Sequence, residues 1–287
     1  MGAASSATLK KISVVDKGGR PPVELALILD ALFFRLRNCG PWRDLPSQYG
    51  CWQTIYGWHR AFARNGIWLI LLKGFMRKVK SAVVLVDGTH VVAHQSAANP
   101  AGGAAAQAMG KTRGGRNTKV MALTARQGRL LNFVLAEGQT YEGKHVRTLL
   151  PKDRKWKVVG DKGFDSDKLR RQLESLGHKT CFPGKKNRRK KIVISKTLYR
   201  QRYRVENFFC RIKRWACLSH RRDKLAAHFA SLLAFAAVID WMQPLKRLAG
   251  TASSSGVAAV LLCFRSPRRR RLRRCLLIAN APAKMNA

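Results

Sequence analysis

Two short apolar runs, VVLVD ending at Asp87 and KVVGD ending at Asp161, constrain this chain more than any other feature. Each is β-branched and too short for a helix, so each reads as an inner strand of a sheet. An acid is unexpected there, because a carboxylate taken out of water without a partner is costly. Something positive, a side chain or a metal ion, has to meet each one.

The neighbouring segments complete the pattern. SAVVLVDGTHVVAH is followed by TKVMALTARQG and RLLNFVLAEGQ, two strands joined at Gln127–Gly128 in the manner of a hairpin. A helical stretch near Glu142 to Leu150 leads to the Asp161 strand. SDKLRRQLESLGH then has a candidate N-cap in Ser166 and a closing Gly177. The short strand KTCFPG, the basic loop KKNRRKKIVISK, a helix over 198–215 and an apolar helix over 226–242 follow. This order predicts an α/β fold, a mixed sheet flanked by helices. Ahead of it, 23–80 reads as three short helices, either a helix-turn-helix unit or a plain bundle packed on the next domain. The chain thus divides into a basic N-terminal segment (1–22), a helical domain (23–80) that would be DNA-binding as a helix-turn-helix unit, an α/β domain (81–249) and a basic tail expected to be disordered (250–287).

Charge narrows the partner. The 287 residues carry 56 Lys or Arg against 15 Asp or Glu, a formal charge of +41 that repels itself unless a polyanion is bound. Between Lys179 and Lys224 lie 17 Lys or Arg and two acids, Glu206 and Asp223, so nucleic acid is the expected ligand of this stretch. The seven cysteines form no CxxC pair, which argues against a disulfide framework or zinc knuckle. No secretory leader is readable in MGAASSATLKK, and the apolar run 226–242 carries His228 and Asp240 and is short for a bilayer span. The expectation is an intracellular chain with no membrane partner.

The helix LYRQRYRVENFFCRIKRW is basic yet carries Glu206 in its middle. At about 100° per residue, Tyr199, Arg202, Glu206 and Lys213 share one stripe about 60° wide, beside an apolar face of Val205, Phe208, Ile212 and Trp215. Glu206 is either an ion-pair partner of Arg202 or Lys213, or a third carboxylate that joins Asp87 and Asp161 around Mg²⁺. Two ions would clamp the attacking and leaving oxygens of an in-line phosphodiester displacement.

The spacing Tyr199, Arg202, Glu206, Lys213 resembles the Y-R-E-K signature of bacterial insertion-sequence DDE transposases. PWRDLP, WQTIY, DGTHVVAHQ, GKTRGGRNTK, VVGDKGFDS and ENFFCRIKRW resemble successive blocks of the same family, across roughly residues 18–242. The resemblance implies an RNase H-like core with Asp87, Asp161 and Glu206 as catalytic and metal-binding residues for two Mg²⁺ ions, or Mn²⁺. It also implies cutting of double-stranded DNA at element ends and joining of the 3′-hydroxyl to a target, by a homodimer in the bacterial cytoplasm, on the nucleoid. Tyr199, Arg202 and Lys213 would contact that DNA, and Gly114 and Gly115 would lie on a loop near the active site. Lys185, Lys186, Arg188 and Arg189 of the basic loop are further DNA contacts by charge. The rivals are a catalytically inactive copy and a basic DNA-binding protein without nuclease activity.

Plainer roles fit the remaining candidates. Asp165 reads as a turn former and Asp167 as a first-turn helix acid. His90 and His94 on a strand, and Cys210, Cys217 and His220 without metal spacing, read as structural or packing residues. Trp52, Trp58, Phe62 and Trp68 read as core residues of the helical segment.

Overall fold

A computed structural model describes residues 23–151, 154–189 and 191–243. The segment 1–22 and the tail 250–287 lie outside the described residues. The centre is β1 (Val83–Ala93), eleven residues long and buried at its first four positions. Antiparallel to it runs β3 (Gly115–Ala125), in register from Val84 opposite Ala125 to Val92 opposite Asn117. Antiparallel to β3 runs β4 (Leu130–Glu137). The β3–β4 turn closes as the sequence predicts: Gly128 N–H donates to the Ala125 carbonyl at 2.8 Å, with φ of 75° that glycine adopts without strain.

On the other side of β1, β5 (Lys157–Val159) and β6 (Lys179–Cys181) run parallel to it. The order is β4-β3-β1-β5-β6, three antiparallel strands followed by two parallel ones, an RNase H-like mixed sheet. Two short strands extend its far end: β2 (Gly110–Thr112) on β3, and β7 (His220–Arg221) on β1.

Alternation along β1 assigns its faces. Val84 and Val86 join Met121, Leu123, Val146, Leu149, Phe164, Leu169 and Leu173 in one core. That face is covered by α5 (Gly143–Leu149) and α6 (Asp167–Ser175), the crossovers around β5; the small helix Gly103–Ala106 is α4. Ser166 holds the N-cap position of α6, but its hydroxyl makes no capping bond there. Leu85 packs on the opposite face with Val205, Phe208 and Ile212. Asp87 shares the parity of Leu85, and Asp161 that of Val159, so both acids belong to this second face.

The second face is covered by α8 (Tyr203–Ile212) and α10 (Ala226–Met242), with α7 (Lys196–Tyr199) and α9 (Ala216–Ser219) as short neighbours. The helix predicted over 198–215 is therefore broken. Residues 200–202 tighten into a 3-10 turn, and α8 ends at Ile212 rather than Trp215. Apolar on all sides, α10 is buried along most of its length. Outside it lie α1 (Leu25–Asn38), α2 (Trp52–Arg64) and α3 (Ile67–Met76), and one apolar core runs from Ile28 and Trp68 through Phe235 to Leu85. No helix among the described residues is long and apolar enough to cross a membrane.

Phe62 and Trp68 are core residues, whereas Trp52 and Trp58 are half-buried. Cys217 is buried but Cys210 and His220 are exposed, which corrects their reading as packing residues: both stand on the solvent side of elements whose apolar positions face the core. Trp68 is 1% exposed, with its ring 4.5 Å from that of Phe235 on α10. Trp68→Ala should cost about 3–5 kcal/mol, read as a fall in the denaturant midpoint; a change within 0.5 kcal/mol would show that α3 is not docked on α10 as described.

Candidate active site

Each of the three acids is placed by a different element. Asp87 lies in β1 opposite Ala122. Asp161 stands two residues beyond β5, where the chain turns into a 3-10 segment over Lys162–Phe164. Glu206 is in the first turn of α8, whose buried residues Val205, Phe208, Phe209 and Ile212 press on the sheet and leave Glu206 at the rim, 48% exposed.

One guanidinium joins them. Arg202 Nη1 lies 3.3 Å from Asp87 Oδ2, and Arg202 Nη2 lies 2.5 Å from Glu206 Oε1. The Tyr199 hydroxyl donates to Asp161 Oδ1 at 3.4 Å, and Lys213 Nζ donates to the His90 carbonyl on β1 at 3.1 Å. Three of the four residues of the 199–213 stripe thus meet Asp161, Asp87 or β1, and the fourth, Glu206, meets Arg202. Glu206 thus makes the ion pair with Arg202 that was one of its two expected roles.

The charges are tense. Burial pushes the Asp87 carboxyl up to about 6; the Gly88 N–H at 2.8 Å and Arg202 oppose this, while Glu142 and Glu206 add to it. Burial works against the charge of Arg202, but the hydrogen bond and charge of Glu206, then the charges of Asp87 and Asp161, outweigh it, and its pKa rises. Two carboxylates on one guanidinium, with Asp161 held through the Tyr199 hydroxyl, are oxygen donors of the kind Mg²⁺ and Mn²⁺ take, although the oxygens of the three acids do not all lie within 4.8 Å of one another. The donor set fits a hard divalent ion, and Arg202 shows that a positive charge is already needed there.

Glu142 escaped the sequence reading as a site residue. Its carboxylate bears on Asp87 and lies 3.5 Å from Lys119 Nζ, a β3 ammonium that also donates to the Thr140 carbonyl at 2.7 Å. Gly88 is the signal that could have found it: a Cβ at that position would meet Glu142 Oε1 at 2.7 Å and Met121 Sδ at 2.8 Å, so only glycine lets Glu142 approach.

Asp165 does more than form a turn. Buried to 6% exposure, it accepts from Arg170 at 3.0 Å, from Arg188 at 2.9 Å and from the Lys185 backbone N–H at 2.8 Å. Burial alone would raise its pKa; the Lys185 N–H and Arg170 reverse that, and it is lowered. Asp165 therefore ties the basic loop to the segment that carries Asp161. Arg188 also pairs with Asp167, so its guanidinium turns inward, while Lys185, Lys186 and Arg189 are exposed. The Gly114–Gly115 turn caps the β2–β3 hairpin, seven residues along β3 from Ala122, hence roughly 20 Å from Asp87. That distance corrects its expected place beside the acids. His90 bonds Asn117 Oδ1 through Nδ1 at 3.1 Å, and His94 bonds Ser96.

The raised pKa of Asp87 makes a stability statement. A group that protonates more readily when folded stabilises the fold below its unfolded pKa of 3.8 and loses that contribution as pH rises through about 6. Asp87→Asn, in buffer free of divalent ions, should therefore stabilise the fold at pH 8 by at most about 3 kcal/mol, read as a higher melting temperature, and change little at pH 3.5. A mutant less stable at pH 8 would show that the Arg202 pair outweighs desolvation.

Comparison with known proteins gives the family of the chain. Residues 79–241, more than half of the chain, match the family described as Transposase DDE domain, and residues 6–72 match Putative transposase of IS4/5 family. An uncharacterized protein, y4sN, of Sinorhizobium fredii (strain NBRC 101917 / NGR234) is 34% identical over 83 residues, 29% of this chain and 66% of that protein. Among solved structures, a cryo-EM structure of the piggyBac transposase synaptic complex with hairpin DNA is similar at 9% identity and a TM-score of 0.39, over 72% of this chain and 59% of that one. The chain thus spans just under two thirds of each of these relatives. Because the Transposase DDE domain covers more than half of it, this chain belongs to the DDE-domain transposase family.

Proposed function

We propose that the chain is a DNA transposase that cuts the ends of an insertion element and joins the freed 3′-hydroxyl to target DNA. The observation that carries this reading is the convergence of one helical stripe on the acids: Tyr199 on Asp161, Arg202 on both Asp87 and Glu206, and Lys213 on β1, the strand of Asp87. A basic protein that only coats DNA has no use for a carboxylate cluster facing its ligand.

Asp87, Asp161 and Glu206 would hold one or two divalent ions, Mg²⁺ or Mn²⁺, which when bound supply Lewis acidity for phosphodiester chemistry. Asp87, with its pKa near 6, is mostly ionised by pH 8 and gives up its remaining proton when a cation is bound. Arg202 then loses its reason to stay among the acids. Its planar fork suits a phosphate, and a short swing turns it from counter-ion to phosphate clamp. Tyr199 and Lys213 flank the same edge and orient the strand to be cut. Lys185, Lys186 and Arg189 extend the positive surface along the duplex, with Asp165 and Arg188 holding their loop in place. On the helical layer, α2 presents Gln53, Thr54, Arg60 and Arg64 to solvent and is the element we assign to DNA there; α3 buries Ile67, Trp68, Leu71 and Leu72. Pairing of two ends calls for two copies, hence a homodimer on DNA.

The test is Mg²⁺-dependent nicking of labelled duplexes taken from the flanks of the gene. The natural chain should nick at fixed positions, Glu206→Gln should lose at least about a hundredfold in rate, and its affinity for the duplex should be kept. Equal binding by both with no cutting by either would leave a DNA-binding protein or an inactive copy.

A further inference from the structure

A second polar cluster sits where the helical layer meets the sheet layer. His59 on α2, His228 on α10 and Asp223 on the connection after β7 bring one ligand atom each to within 4.8 Å of one another, the one such group of three among the described residues. His59 is fully buried and neither ring nitrogen has a hydrogen-bond partner. Asp223 is 7% exposed, and its Oδ2 likewise has none. His228 is half-buried, its ring centroid 5.1 Å from that of His59. Unpartnered buried nitrogens and oxygens cost about 1–3 kcal/mol each, and His59 and Asp223 each bring one to this cluster, which therefore asks for an occupant.

The nearby cations do not fill that role. Arg221 bears on the charge of Asp223, yet it donates to the main-chain carbonyls of Asp223, Gln107 and Lys224 and to Thr118 Oγ1. Arg35 also bears on it, but its Nη1 donates to Cys217 Sγ and its Nε has no partner.

We propose that His59, Asp223 and His228 form a second metal site, which takes a transition-metal ion of the zinc class and clamps α2 to α10. Two imidazoles and one carboxylate suit Zn²⁺ and its neighbours, and offer too few oxygens for Mg²⁺. The half-exposed side of His228 leaves a fourth position for water. The site is separate from the three acids: Ala93, which pairs with Arg221 two residues before Asp223, stands six positions along β1 from Asp87, roughly 20 Å away. The metal would join the helical layer to the layer that carries the acids.

The test is uptake of Zn²⁺, by calorimetry, and of Co²⁺, by its visible absorption, in the full chain purified without an affinity tag and freed of metal. The natural chain and Asp87→Asn should each bind about one equivalent, with Co²⁺ bands that report imidazole ligation, and Zn²⁺ should raise the melting temperature. His59→Ala and His228→Asn should lose the equivalent and the bands. Because His228 is half-exposed, its variant should stay folded even where His59→Ala does not, as circular dichroism would report. Absence of stoichiometric uptake would overturn the site in favour of a buried water. So would uptake unchanged in folded His228→Asn, or uptake lost only in Asp87→Asn.

Discussion

Three carboxylates cannot share one edge of a protein without a cation among them. Burial alone disfavours a charged carboxylate, and like charges nearby add to that cost. Asp87, pushed up to about 6 chiefly by burial, with Glu142 and Glu206 adding to it, records the strain. Arg202 relieves it by touching Asp87 and Glu206 together, and it does so from the residue one helical turn before Glu206. The rest of the architecture serves this meeting. β1 has to be central for Asp87 to be buried, and β5 has to run beside it for Asp161 to arrive on the same face. The apolar side of α8 has to be seated on the sheet for Glu206 and Arg202 to stand at its rim.

The strands and their acids were readable because a short β-branched run suits an inner strand and little else, and alternation along a strand fixes which residues share a face. The stripe on the 199–213 helix was readable for a related reason, since a helix places fixed offsets side by side. The 3-10 turn at 200–202 was not, because its i to i+3 bonds depend on how the entering segment docks and not on any residue preference in RQR. Glu142 was missed for a different cause. It lies in a turn between β4 and α5, far from Asp87 in sequence, and only the absent side chain of Gly88 marks its approach.

Charge counting misjudged individual arginines. Arg35, Arg129, Arg170 and Arg221 are all buried, and Arg129 and Arg211 share Asp240 as Arg170 and Arg188 share Asp165. A formal charge of +41 therefore overstates the surface offered to a polyanion, because part of it is held inside. What remains outside is concentrated, since the inward pair at Asp165 holds Lys185, Lys186 and Arg189 in an exposed loop next to the Asp161 segment. Composition pointed to a polyanion, and only packing distinguishes the arginines exposed to one from the arginines that hold the fold.

The same strand orders both polar clusters. Asp87 lies near the middle of β1, and the end of β1 pairs with β7, whose continuation carries Asp223 toward His59 and His228. A helical layer that slid over α10 would break the second cluster without touching the first. A cation held by one histidine from α2 and one from α10 would oppose that sliding, because separating the helices would also separate its ligands. Apolar packing between α3 and α10 can be conserved through small shifts of register, whereas ligand distances of about 2 Å cannot. If the exposed side of α2 grips DNA while the acids act on it, the position of α2 relative to β1 decides which phosphate reaches Asp87, and a directional clamp at their junction controls that position better than a greasy interface does.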